Sequence, residues 1–168
     1  MHKACVTLCL CGQNLCKQSK QTKMNNEDYH TSFTVDALPQ KVFERINEVT
    51  QWWTKNLEGE SKQFGDEFTV RFSDLHTTTQ KLTEVIPGKK VVWPVTESNL
   101  SFVDKKDEWT DTNIVFEITE KDGKTEVLFT HVGLVPEVAC YTSCVKGWDY
   151  YIKGSLFKLL TEGKGTSG

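Results

Sequence analysis

Between Phe68 and His131 the apolar residues recur in runs at every second position, and beyond Pro136 they recur at helical spacing almost to the end of the chain. Phe68, Val70 and Phe72 share one face of a strand whose other face carries Glu67, Thr69 and Arg71. Ile114, Phe116 and Ile118 repeat the pattern, Asp122-Gly123 is a hairpin turn, and Val127, Phe129 and His131 share a face of the returning strand. Past Pro136, the residues Val138, Tyr141, Val145, Trp148, Ile152, Leu156 and Leu159 form one stripe over roughly six turns of helix, which Gly163 and Gly165 close. An antiparallel sheet with one apolar face must bury it, and the long terminal helix is the element able to cover it.

The rest of the chain fits around that pair. Residues 30–36 alternate and read as a first strand. Pro39 opens a helix, and Val42, Phe43, Ile46, Val49 and Trp53 give it an apolar face; two short helices broken near Thr50 are expected, ending by Gly59. Leu38 precedes the proline and cannot cap, so the first helix is expected to fray unless Asp36 substitutes. Residues 76–86 read as a more polar strand, followed by a Pro87-Gly88 turn. Val91, Val92, Trp93 and Val95 form the next strand, where Pro94 signals an edge or a bulge. Glu97 to Asp111 reads as a polar loop with a short strand around Leu100 to Val103. The expected organisation is one α+β domain over residues 29–163. Residues 1–28 are expected to be an N-terminal extension, disordered up to Met24, where a polar lead-in opens the folded part, and residues 164–168 a loose tail.

Composition removes some functions. Lys plus Arg is 20 against 23 Asp plus Glu, a net charge of −3, which argues against nucleic acid as the main partner. No apolar run reaches the ~18 residues of a membrane span. Met1-His2-Lys3 followed by Ala4 to Leu10 resembles a signal peptide only weakly, since no small-residue cleavage site follows. Cys5, Cys9, Cys11 and Cys16 crowd the N-terminus, Cys140 and Cys144 sit near the other end, and residues 24–139 have none. A disulfide framework would spread its cysteines through the fold, so a reducing, cytoplasmic setting is expected. Cys140 and Cys144, four apart on a helix, read as buried small residues rather than a redox pair or half a metal site. The N-terminal spacing lacks the Cys-x2-Cys knuckle, so no metal and no cofactor is expected. Nucleophile elbows, zinc-binding helices, dinucleotide fingerprints and phosphate loops are absent from the sequence.

Five Trp in an 11% aromatic chain are the less usual feature. Such rings either fill a core or wall an apolar pocket. Trp52, Trp53, Trp93, Trp148 and Tyr151 are the pocket candidates, with Trp148, in the middle of the long helix, the foremost. Phe72, Phe116, Phe129 and Ile152 join them if the inward face of the sheet lines a hollow. His131 is in phase with Val127 and Phe129, so it faces the same way, either as a ligand-contacting or acid/base group or as a histidine satisfied by backbone at the strand end. Arg71 and Glu117 fall on the opposite faces and are expected in solvent.

Three local patterns in this order resemble the START-like (SRPBCC) superfamily, and within it the group of the activator of heat-shock-protein-90 ATPase. They are Phe33-Thr-Val-Asp-Ala-Leu-Pro-Gln-Lys-Val-Phe43; the stretch from Trp109-Thr-Asp-Thr to Lys124-Thr-Glu-Val-Leu-Phe-Thr-His131-Val-Gly133; and Gly147-Trp148. The resemblance implies a helix grip: a curved antiparallel sheet wrapped around a long C-terminal helix, with two short helices after the first strand. It also implies a cavity between sheet and helix that accepts a small hydrophobic molecule. The leading expectation is therefore a non-catalytic ligand-binding module. The alternatives are an interaction module acting on a chaperone ATPase and, last, a cyclase- or hydrolase-like enzyme.

Overall fold

A computed structural model describes residues 28–168, so the expectation for an N-terminal extension and its four cysteines lies outside the described residues. Asp28, placed in that extension by the sequence, belongs to the fold: it is buried, and its carboxylate accepts the Gly133 N–H at 2.9 Å. The elements in order are β1 (Tyr29–Val35), α1 (Pro39–Asn47), α2 (Val49–Trp52), β2 (Leu57–Gly59), β3 (Glu67–Phe72), β4 (His76–Lys81), β5 (Glu84–Ile86), β6 (Lys90–Leu100), β7 (Asn113–Lys121), β8 (Lys124–Val132), and a C-terminal helix. That helix comprises α3 (Tyr141–Trp148), a π-helical segment (Asp149–Leu156) and α4 (Phe157–Glu162).

The strands form one antiparallel sheet in the order β1-β8-β7-β6-β4-β3-β2, with β5 beside β6. Its inward positions, among them Phe68, Val70, Val91, Trp93, Ile114, Phe116, Val127 and Phe129, are buried, as the period-two pattern requires. The C-terminal helix covers them with Cys140, Cys144, Trp148, Ile152, Leu156 and Leu159. This is a helix grip with two short helices after the first strand. Tyr29 ties β1 to the helix by donating its hydroxyl to Asp149 at 2.8 Å.

The buried line down the first part of the helix starts from Cys140 and Cys144, while Tyr141 and Val145 flank it half-buried. Residues 140, 144, 148, 152 and 156 repeat every fourth position. In a regular α-helix a four-residue step drifts about 40° per repeat. The wider turn of the π segment counters that drift and keeps Trp148, Ile152 and Leu156 on the sheet.

Three local expectations change, and that for Pro94 holds. The break between the short helices falls at Glu48, two residues earlier than expected. Residues 76–86 make two strands, because β4 pairs with β3 and β6 whereas β5 pairs with β6 alone. Pro94 lies inside β6, and the expected bulge follows it: Gln80 pairs with Val95 and Thr79 with Glu97, so Thr96 is the extra residue. On one side Val95 exchanges hydrogen bonds with the β7 side of the sheet, so the missing Pro94 N–H points the other way. There β6 passes from β5, paired up to Val92, to β4, paired from Val95, and no ladder bond is lost. β6 also continues to Leu100, which is buried although it is out of phase with Val91, Trp93 and Val95, because the extra residue Thr96 shifts the alternation by one.

The tail differs too. Gly168 donates to the Trp53 carbonyl at 3.1 Å and accepts from Lys55 at 2.9 Å, and Thr166 donates to Ser155 Oγ at 2.6 Å. These bonds hold residues 166–168 against the loop after α2 and against the C-terminal helix.

Leu38 makes no side-chain cap, as its chemistry dictates, and is 75% exposed with an extended backbone suited to a capping residue. Leu38→Ser is expected to raise the unfolding free energy by about 1 kcal/mol, because a serine oxygen there accepts an otherwise orphaned helix N–H. Urea denaturation checks this; a loss of stability would show that Leu38 packs on something in the native state.

Candidate functional site

The inner space between sheet and helix is divided. Its centre is filled by rings. Trp52 and Trp53 stack at 5.9 Å, Trp53 and Trp93 at 6.4 Å, and Trp53 meets Trp148 at 4.9 Å. Phe116 and Phe129 pack edge-on at 5.1 Å beneath them. At the end of the helix nearer α3 the filling stops, and a pocket of about 450 Å³ opens to the surface.

Four parts of the chain wall this pocket. Trp53 comes from the loop after α2. Phe72, Leu75 and His76 come from the end of β3, the following turn and the start of β4. Phe102 and Trp109 come from the β6–β7 connection, and Ser143, Cys144, Gly147, Trp148 and Tyr151 from the helix. Trp109 stacks on Trp148 at 5.5 Å with the rings 11° apart, and Phe72 lies 5.4 Å from Tyr151. Leu75 and Phe102 leave an apolar rim in solvent. Among the described residues no Lys, Arg, Asp or Glu stands in the wall.

Of the ten residues expected at the site, Trp53, Phe72, Trp148 and Tyr151 meet in this wall. Trp52, Trp93, Phe116, Phe129, Ile152 and His131 lie in the packed core around and below it. Sequence reasoning missed Leu75, His76, Phe102, Trp109, Ser143, Cys144 and Gly147 as pocket residues. Trp109 and Gly147 carried a signal, since both stand in the patterns that mark the family resemblance.

His131 is fully buried, and side chains rather than backbone satisfy it. Trp148 Nε1 donates to its Nδ1 at 2.9 Å. Nε2 therefore holds the proton and donates to Thr112 Oγ1 at 2.9 Å, and Thr112 in turn donates to the Trp109 carbonyl. Every polar atom of the ring has a partner, and those partners fix two of the pocket's indole-bearing residues. Burial first, and the neighbouring His76 second, lower the His131 pKa to about 3, so the ring is neutral. Gly133, two residues on, has a positive φ of 94°, and a Cβ there would press on Thr112 Cγ2 at 2.9 Å. The glycine thus preserves the hydroxyl that holds His131.

Cys140 and Cys144 are free, buried thiols. The first is engaged by Cys144, and that contact together with burial pushes its pKa up. Glu108 accepts the N–H groups of Ala139 and Cys140 at 2.9 and 2.7 Å, capping the helix from the β6–β7 connection that also carries Trp109. Arg71 reaches exposed Glu58 at 3.1 Å across β2 and β3. Among the described residues no group of three or more His, Cys, Asp or Glu is placed to hold a metal ion. No helix among them is long and apolar enough to cross a membrane.

Comparison with known proteins follows this architecture. The sequence profile of the family described as Activator of Hsp90 ATPase homolog 1-like protein matches residues 36–161. The fold is similar to the solution structure of the Aha1 dimer from Colwellia psychrerythraea, with a TM-score of 0.68 and 24% identity over 82% of this chain and 98% of that one. It is also similar to the protein SSP2350 from Staphylococcus saprophyticus, with a TM-score of 0.61 and 18% identity over 83% and 95% of the two chains. CalU16 from Micromonospora echinospora gives 0.56 and 11% over 75% and 71%. These identities show a shared fold. A search of the curated proteins found no match.

Proposed function

The chain belongs to the Activator of Hsp90 ATPase homolog 1-like family, and from that premise we propose that it is a binding module that takes a small apolar or amphipathic molecule into the aromatic pocket without catalysis. Family and fold support a ligand-binding or interaction module in general. The observation that carries the finer reading is Gly147. It sits within α3, where glycine costs roughly 1 kcal/mol relative to alanine. A Cβ added there would meet nothing within 4 Å. The helix keeps a destabilising residue beside an open space of ligand size, walled by rings that supply large contact area with little entropy to lose. The two thiols in and behind the wall suit a reducing, cytoplasmic setting.

Gly147→Leu tests this. The leucine enters the pocket and improves helix propensity, so the variant is expected to unfold at equal or higher urea concentration while losing saturable binding of an uncharged probe such as Nile red. Retained binding in a folded variant, or no binding by the parent protein, would remove the proposal. A second reading, modulation of a chaperone ATPase, draws on the family description and on the likeness to an Aha1. An Hsp90 ATPase assay with and without the protein separates it from the first, since a pure ligand binder leaves that rate unchanged.

A further inference from the structure

His76, Thr78 and Gln80 stand two residues apart on β4, so their side chains share one face of the strand. Thr78 and Gln80 are fully buried, which places that face inward. A polar row there has to satisfy itself, and Gln80 sets the direction. With its amide nitrogen donating to the carbonyls of Thr78 and Phe68, both at 3.2 Å, its oxygen accepts from the Thr78 hydroxyl at 2.5 Å. The single proton of Thr78 is then committed to Gln80. Towards His76 Nε2, 3.2 Å away, Thr78 Oγ1 can only accept. The imidazole proton therefore sits on Nε2, and Nδ1 carries a bare lone pair with no partner among the described residues.

The surroundings keep the ring in that state. Phe72 and Trp109 stand edge-on to it, with centroids at 5.4 and 4.6 Å. Burial lowers its pKa to about 4, so it is uncharged at neutral pH. It is part of the pocket wall, which holds no Lys or Arg among the described residues.

We propose that His76 determines the specificity of the pocket: its Nδ1 accepts a hydrogen bond from a neutral O–H or N–H on the bound molecule, and the site selects flat, uncharged ligands with one such donor over carboxylates and donor-free hydrocarbons. This rests on the pocket being the binding site. A carboxylate would bring lone pairs against the Nδ1 lone pair and lose hydration with no cation to replace it. A donor-free ring would leave Nδ1 desolvated and unpaired. A phenolic or indolic molecule packs against Trp148, Trp109 and Phe72 and satisfies the Nδ1 acceptor.

Three probes of one shape provide the test: 2-naphthol, 2-methoxynaphthalene and 2-naphthoate, titrated by calorimetry at pH 7.5. The protein is expected to bind 2-naphthol about tenfold more tightly than the methyl ether, the worth of one such hydrogen bond, and 2-naphthoate more weakly than both. His76→Phe should erase the gap between naphthol and ether. Equal binding of those two by the parent protein overturns the role of His76 while leaving the pocket in place. Failure of all three to bind overturns the pocket reading and this inference with it. A measurement on the unmodified protein guards against a misfolded variant: long-range nitrogen NMR should show His76 with Nε2 protonated and Nδ1 bare, and Nδ1 should shift as 2-naphthol is added. A protonated Nδ1, or one indifferent to naphthol, overturns the inference.

Discussion

Trp148→Ala is expected to lower the unfolding free energy by roughly 3–5 kcal/mol, enough to leave a domain of ordinary stability close to unfolding. Three losses combine. The indole is 2% exposed and packs on Trp53, Trp109 and Phe129 with centroids between 4.6 and 5.5 Å, so its removal opens a cavity where the helix meets the sheet. Its N–H is the donor to His131 Nδ1, and without it a buried acceptor stands unpaired, at about 1–3 kcal/mol. The ordering of Trp109 and Thr112 through His131 weakens as well. Trp148→Phe separates the first effect from the second, because it keeps most of the ring and loses the N–H. It is expected to cost less than alanine, and both are read from urea denaturation followed by far-UV circular dichroism. A cost below 1 kcal/mol for the alanine variant would mean that the helix is not held to the sheet at this point. The size of the effect also makes Trp148→Ala a poor probe of binding, which is why Gly147 and His76 carry the functional tests.

Much of this arrangement is written in hydrophobic period, and the exceptions share a physical cause. β7 and β8 are legible because every second residue is apolar and the turn between them is Asp122-Gly123. The helix is legible from Tyr141 to Leu159, although its true buried line begins with Cys140 and Cys144, which count as small apolar residues once their thiols are out of water. β4 is not legible in the same way. Its inward positions hold His76, Thr78 and Gln80, so a polar residue stands where the pattern expects an apolar one, and the alternation disappears. That is the strand that carries His76 and its unpartnered Nδ1. Trp109 and Phe102 hide for another reason: they belong to a polar connection whose path is set by where β6 ends and β7 begins, and nothing local says that it folds back over the helix. Sequence periodicity reports which residues avoid water. It does not report that Trp52, Trp53 and Trp93 fill the centre while Trp109 finishes one end, because filling is a matter of volumes across elements distant in the chain.

Acid should weaken this domain before its carboxylates are neutralised. His131 is neutral in the folded state with its pKa lowered to about 3, burial being the main cause, whereas an exposed histidine in the unfolded chain titrates near ~6.5. The unfolded state therefore binds the extra proton between those two values. The contribution of the neutral ring is fully present above pH ~6.5, and stability falls by about 1.4 kcal/mol per pH unit as the pH drops below it, until the folded value is reached. By pH 4.5 this one residue accounts for roughly 3 kcal/mol. The chemistry behind the number is plain: a proton on Nδ1 would point at the Trp148 N–H, donor against donor, in a site without a counter-charge. His76, lowered to about 4 by burial, acts in the same direction over the upper part of the window. Urea denaturation at pH 7.5, 6.0, 5.0 and 4.5 measures the slope, and the His131 ring signals in NMR should show no titration down to the pH at which the protein unfolds. A flat stability profile from pH 7 to 5, or a His131 midpoint above 5.5 in the folded protein, would mean that this imidazole is not sealed between Trp148 and Thr112.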